Sequence, residues 1–328
     1  MVAAVLAVAL SFAVSLVMSG VASAFDREAT RVLDAIGGDS FLMRNGELGV
    51  FTTASVVKTN AAPDARPFAF WNSPIRSPGH GLVQSALIGI PVGWPSADSI
   101  KEGRAISASG EVVVDRSLGA KLGSRVSLAD KTFTVVGLTV DTTLYGGQPV
   151  VYIPTRDAQD LLAGGADVTK GFVENGVPGS PPPPGLTRVS RSAAKQDLLR
   201  PLANAQQSLV LIMVLLWIVA AVIVGSVVFL SVLERSRDVA VFKAAGVTTR
   251  AIAGGVLLQA CVIAGVASIL AIGAGYALAP LFAMPVAITP LWTAMLPVLA
   301  LTIAVVASIG GLRRVAAIDP ALAFGAAP

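Results

Sequence analysis

Charge is scarce in this chain. Only 13% of its 328 residues are Asp, Glu, Lys or Arg and 54% are hydrophobic, where a soluble globular protein carries about 25% charged residues. The mean hydropathy is +0.74. This balance excludes an ordinary water-soluble enzyme and points to a membrane protein. Cysteine is nearly absent: Cys261 is the single one and lies inside a hydrophobic run. No intramolecular disulfide can form, so a large domain outside the cytoplasm must stand on its own apolar core. His80, in "SPGHG", has no Cys or second His at ligand spacing, which argues against a metal site. The net charge of +4 is small and scattered, so it offers no basic face to nucleic acid. No G-x-x-x-x-G-K-[ST] phosphate loop occurs, and "GGADVTKG" has its glycines and lysine at the wrong spacing. Ser, His and Asp residues are present but are not grouped as a nucleophile and its base.

Long uncharged runs are what the chain has instead. A helix needs roughly 20 apolar residues to cross a bilayer, and four segments qualify: residues 1–24, 208–233, 251–279 and 291–312. Short loops rich in Lys and Arg face the cytoplasm. Residues 234–250 carry Arg235, Arg237, Lys243 and Arg250, and the tail, 313–328, begins with Arg313 and Arg314. Both are therefore expected in the cytoplasm, which leaves residues 25–207 outside it. The fold class expected is an α-helical membrane protein with four transmembrane helices and an extracytoplasmic α+β domain inserted between helices 1 and 2. The first run could also be read as a cleaved signal peptide, because "VASAF" has a small-x-small pattern at Ala22 and Ala24. Its apolar core is longer than a signal's 7–15 residues and no basic region precedes it, so it is read as an uncleaved anchor. The missing basic flank would be explained by a start further upstream.

In the outer domain, Phe25, Ala29, Val32, Leu33 and Ile36 recur at helical spacing until Gly37-Gly38, so the first helix should continue outward as a stalk. Leu198, Leu202 and Leu209 form a second stalk, with a kink expected at Pro201. Between the stalks, "GVFTT", "SALIGI", "EVVVD", "RVSL", "TFTVVGL" and "VVYIP" read as strands, and Ala129-Asp130 as a hairpin turn. "GSPPPPG", residues 179–185, reads as a stiff spacer. Trp71 and Trp94 lie near Pro-rich turns and fit either a contact surface or internal packing, the latter favoured.

The charged turn at 234–250 is the most informative stretch. Six charges in seventeen positions cannot sit in hydrocarbon, at roughly 2.5–3.5 kcal/mol for each Arg, Lys or Asp. Val239, Phe242 and Gly246 along one side predict a short amphipathic helix, Gly246 suits its C′ position, and Thr248 or Thr249 can cap the next helix. The whole arrangement resembles the FtsX/MacB type of ABC-transporter permease. The resemblance rests on "VDRSLGAKLGSRVSLADKTFTVVGL" followed by "VYIPTRDAQDLL", on "ERSRDVAVFKAAGVTTRAI", and on the tail "RRVAAIDPALAF" with Arg313, Asp319 and Pro320. It implies a MacB-like outer core domain and an FtsX-like permease region from residue 208. The chain departs from the pattern at its N-terminus, where the family usually has a basic amphipathic segment. The resemblance also implies that Glu234, Arg235, Arg237, Asp238, Phe242, Lys243, Gly246 and Arg250 dock a separate ATP-binding subunit. That subunit, not this chain, would bind ATP and magnesium. A plain lipid-headgroup anchor explains the arginines but not Glu234 and Asp238.

No Asp, Glu, Lys, Arg or His falls within the four runs, which argues against a channel, pump or proton-coupled carrier. Gln259, their most polar member, should bond a neighbouring helix, and Cys261 reads as a small hydrophobe. Ala267, Ala271 and Gly275, and likewise Ala300, Ala304 and Ser308, form small-residue stripes that read as helix packing. The function expected is a non-catalytic permease subunit in a homodimeric or heterodimeric ABC complex of the cell membrane, in contact with lipid. It would perform export or mechanical work on a lipid, lipoprotein or peptide at the outer face. Small-solute transport, such as of an amino acid, and a membrane-anchored sensor without an ATPase are the alternatives.

Overall fold

A computed structural model of the chain describes residues 2–176, 181–282 and 284–317. Contacts divide the chain into two units: residues 25–204, and residues up to 24 together with those from 205 onward.

The middle unit is built on strands β1 (Ser40–Arg44), β2 (Val57–Lys58), β3 (Arg66–Ser77), β4 (Gly81–Ile90), β5 (Ile100–Gly103), β6 (Glu111–Asp115), β7 (Arg125–Leu128), β8 (Lys131–Thr139), β9 (Thr143–Leu144), β10 (Gln148–Pro154), β11 (Val168–Thr169), β12 (Gly171–Glu174) and β13 (Leu186–Ser190). Among the described residues, the main sheet runs β13-β1-β12-β3-β4-β10-β6-β8-β5. Its pairs β4–β10 and β6–β8 are parallel. The helices are α1 (Val2–Ile36), α2 (Thr155–Ala163) and α3 (Arg191–Leu199). Successive side chains of a strand point to opposite faces, and here each face has a core. Val150 and Tyr152 of β10, with Ala86 and Ile88 of β4, join the C-terminal part of α1 and α3 in one cluster. Val151, Ile153 and Leu87 join Ala158 of α2 and Phe133 in the other. Gly89 permits the α2 packing, because a Cβ there would lie 2.6 Å from that of Ala158.

Five of the six expected strands lie within β4, β6, β7, β8 and β10, and Ala129-Asp130 joins β7 to β8 as a hairpin with Leu128 opposite Lys131. "GVFTT" is not a strand. The backbone N–H groups of Phe51 and Thr52 donate to the Asp197 carboxylate at 2.6 and 3.2 Å, and the Thr52 hydroxyl does so at 2.5 Å. A buried carboxylate on α3 thus takes the place of a neighbouring strand. Gly49 leaves the room: a Cβ there would fall 1.9 Å from Asp197 Oδ1. The same device holds α1, where buried Glu28 accepts from Thr143 Oγ1 at 2.6 Å and from the Gly146 N–H at 3.0 Å. Charge-assisted bonds of this kind are the stronger ones.

Helix α1 runs unbroken from Val2 past Asp26 to Ile36 and ends at Gly37, whose φ of +72° favours glycine. Ala29, Val32, Leu33 and Ile36 are all buried in the middle unit's core. Pro201 sits in a 3-10 turn, Arg200–Leu202, that separates α3 from α4 (Ala203–Glu234). Trp94 packs on the core with the Arg66 guanidinium 3.7 Å above its ring, and Trp71 packs on the opposite cluster.

The second unit contains the first part of α1 and most of α4, with α5 (Ser236–Ala244), α6 (Thr249–Leu278), α7 (Pro290–Ala307) and α8 (Ile309–Ala317). Among the described residues, four helical segments are long and apolar enough to cross a membrane, lying within 2–36, 191–234, 249–281 and 290–313. Ala267, Ala271 and Gly275 of α6, and Ala300 and Ala304 of α7, are buried, as is Ser308. A Cβ on Gly275 would sit 3.0 Å from Leu16 of α1. Gly20 of α1 likewise lets the 286–288 segment approach, with the Ala287 N–H donating to the Gly20 carbonyl at 2.9 Å. Trp217 Nε1 donates to Ser15 Oγ at 2.8 Å. Gln259 bonds Ser231 of α4. The fourth expected run spans α7 and the start of α8, interrupted at Ser308, whose hydroxyl donates back to the Ala304 carbonyl at 2.6 Å, a bond that commonly bends helices.

Candidate functional site

The turn between α4 and α6 is built from local capping. Arg235, with φ −102° and ψ 18°, interrupts the helical path after Glu234 and starts α5. At its other end Gly246 takes φ +88°. The Val247 N–H donates to the Phe242 carbonyl at 2.9 Å and the Gly246 N–H to that of Lys243 at 3.0 Å. Those two bonds form a Schellman motif, which satisfies the last carbonyls of the helix. Two residues on, Thr248 caps α6 by accepting from the Ala251 N–H. A complete stop and a complete start lie within three residues, so the corner has little backbone freedom.

Helix α5 is seated as well as capped. Val239 and Ala240 are buried with Val232 of α4 and Val315 of α8, and Ile252 and Val256 of α6 lie alongside. Lys243 Nζ donates to the Ala316 carbonyl of α8 at 3.2 Å. The buried side is Val239 with Ala240, which leaves Phe242, of the Val239–Phe242–Gly246 line that suggested the helix, on the outside. Phe242 is 54% exposed. It stands with exposed Val241 and Val247, among the exposed side chains of Glu234, Arg235, Arg237, Asp238 and Arg250. Among the described residues, none of those five charges makes an ion pair within the chain. The outcome is a capped corner that exposes three apolar side chains and five charged ones of both signs within residues 234–250. Val241, Val247 and the α8 seat escaped the sequence reading. The apolar Val315 beside Arg313 and Arg314 was the available signal. Asp319 and Pro320 of the tail, and Gly179 and Ser180 of the spacer, lie outside the described residues.

Among the described residues, no group of three or more His, Cys, Asp or Glu could hold a metal. His80 Nδ1 lies 3.4 Å from the Pro78 carbonyl.

The family model for the MacB-like periplasmic core domain matches residues 1–176, and that for the FtsX-like permease C-terminal region matches residues 210–320. The chain belongs to the FtsX/MacB-type ABC transporter permeases. Two proteins named "Uncharacterized ABC transporter permease" from Mycobacterium tuberculosis (strain ATCC 25618 / H37Rv) agree. One is 38% identical over 334 residues and the other 37% over 335, each match covering 99% of this chain and 95% of the relative. Among solved structures, the periplasmic region of MacB from Actinobacillus actinomycetemcomitans matches at 14% identity and a TM-score of 0.35, covering 54% of this chain and 87% of that one. The extracellular domain of the noncanonic ABC-type transporter YknZ from Gram-positive bacteria matches at 12% identity and a TM-score of 0.31, covering 52% and 94%. The permease is thus a membrane protein with an extracytoplasmic domain between its first helix and the rest, and its family implies an ATP-binding partner subunit.

Proposed function

We propose that this permease couples ATP hydrolysis by a separate ATP-binding subunit, docked on the 234–250 corner, to mechanical work on a lipid, lipoprotein or peptide at the outer face of the cytoplasmic membrane. The observation that carries the reading is the corner itself. A headgroup anchor would want basic residues and a loose loop, whereas this one sets Val241, Phe242 and Val247 among mixed charges and is capped at both sides. Force on α5 passes to α4 and α6 because its ends have almost no slack. At the far end of the path, α1 and α3 are tied to the β core by the buried carboxylates of Glu28 and Asp197, a junction suited to carrying a load. Coupling of this kind requires an element that both ends can bias. Two permease chains would pair with two ATPase subunits. The uncharged membrane helices disfavour passage of a polar solute through them.

The test is co-purification of the ATPase subunit with the permease, read together with ATP turnover. Arg237→Glu and Phe242→Ala should each lower association by about tenfold or more, the loss typical of an interface hot spot, while leaving the permease's own melting point unchanged because both side chains are exposed. Undiminished association and turnover in both variants would overturn the docking role.

A further inference from the structure

The middle unit contains a cavity of about 360 Å³ between β3, α2 and the 54–56 segment, with Lys170 at one side. Its walls are mainly apolar, from Phe70 and Trp71 of β3, Leu162 of α2 and Val56. Val56 and Leu162 are 50% and 48% exposed, so greasy side chains stand at a rim where water would otherwise be met. Of the polar lining residues, Ser55, Gln159 and Thr169 already have hydrogen-bond partners, and Lys170 is the charged one. Lys170 is partly buried and makes no ion pair among the described residues. Its Nζ donates to the Phe70 carbonyl at 3.2 Å and lies 5.8 Å from the Phe70 ring centroid. An ammonium has three donors, so others remain for a ligand. Burial presses the Lys170 pKa down, with the Asp197 charge partly opposing, as befits a cation short of a close counter-ion.

A cleft of this size with apolar walls and a charged group at its side is a common form of small-molecule site. A partly buried ammonium with donors to spare gains from a ligand that accepts from them. We infer that this cavity binds a fatty carboxylate, its chain against Phe70, Trp71 and Leu162 and its carboxylate accepting from Lys170 Nζ. The inference rests on the proposed function only for the side of the membrane on which the ligand is met; binding itself does not depend on ATPase coupling.

The experiment uses the full chain in lipid nanodiscs and 10-bromodecanoate, whose bromine quenches Trp71. Saturable quenching is expected, and Trp71→Phe should remove that component while leaving the unsaturable part from membrane partitioning. Lys170→Gln should weaken binding about tenfold or more, the effect of a lost charge-assisted bond, and Lys170→Arg should restore most of it. The alcohol 10-bromodecanol should bind wild type only as well as the carboxylate binds Lys170→Gln. Ala54→Phe, at an exposed lining position of the cavity, should block the site without touching either core. The assignment is overturned if no saturable Trp71-dependent quenching occurs, if Lys170→Gln or the alcohol binds as tightly as the reference, or if an apolar peptide carboxylate saturates the site while decanoate does not. These readouts are separate from ATPase association, so either proposal can fail alone.

Discussion

In the middle unit, the cluster beneath α1 and α3 buries Phe41, Phe51, Phe68, Phe70 and Tyr152 together, with ring centroids of neighbouring phenylalanines 5.4–5.8 Å apart. In the other unit, nine of the sixteen buried cluster residues among those described are alanine, and Phe12 is the single aromatic. Water explains the first choice. Each large side chain withdrawn from it contributes roughly 1.5–3 kcal/mol, so a domain without disulfides collects big ones. Lipid explains the second. Hydrocarbon is as apolar as leucine, so helices associate by close approach, and small residues permit it. Charge follows the same division. The middle unit uses buried Glu28, Asp115, Asp157 and Asp197 to hold loops, while the apolar runs of the helical unit contain no ionisable side chain besides Cys261 and Tyr276.

The contrast can be broken most sharply by emptying the aromatic core. Phe68→Ala, at a fully buried position, should cost the middle unit about 3–5 kcal/mol, read as a fall in its thermal midpoint. A much smaller loss would mean that aromatic packing does not hold this unit. Next in size is the reverse operation on the helices. Ala271→Leu should destabilise the alanine-lined bundle by about 1–3 kcal/mol through overpacking, measured by unfolding in mixed micelles, whereas Gly265→Ala, with open space around it, should be silent. Equal effects from the two would dissolve the close-packing argument.

The smallest effect concerns pH. Glu111 accepts from both Arg104 nitrogens, at 2.8 and 2.5 Å, and from the Ser107 and Ala108 N–H groups, which together hold its pKa down at about 2 from an ordinary 4.5. A carboxylate with a lowered pKa adds stability that is fully present above the unfolded value and is lost as pH falls through the folded one. The middle unit's melting point should therefore slide between pH 4.5 and about 2, with part of that slope removed in Glu111→Gln. An unchanged slope would show that the Arg104 pairing contributes nothing.

Local patterns were legible from residue order alone. Runs without charge marked the membrane helices, and short β-branched or apolar runs between turn residues marked β4, β6, β7, β8 and β10. Gly246 and Thr248 announced the corner's caps because capping depends on neighbours within a few positions. Longer-range partners were not legible. "GVFTT" has the β-branched and aromatic residues of a strand yet meets Asp197, 146 residues away in sequence from Phe51. The twelve-residue β3 was hidden by Pro67 and Pro74, although β4 pairs with it over nine positions. An exposed Phe242 on α5 was expected, but the seat of Val239 and Ala240 against Val315 of α8 depended on a segment some 75 residues further on. Composition thus determined which solvent each part of the chain meets, since transfer energies add residue by residue. The tertiary structure decided which buried polar group answers which backbone, because that requires two distant segments to meet at hydrogen-bond distance.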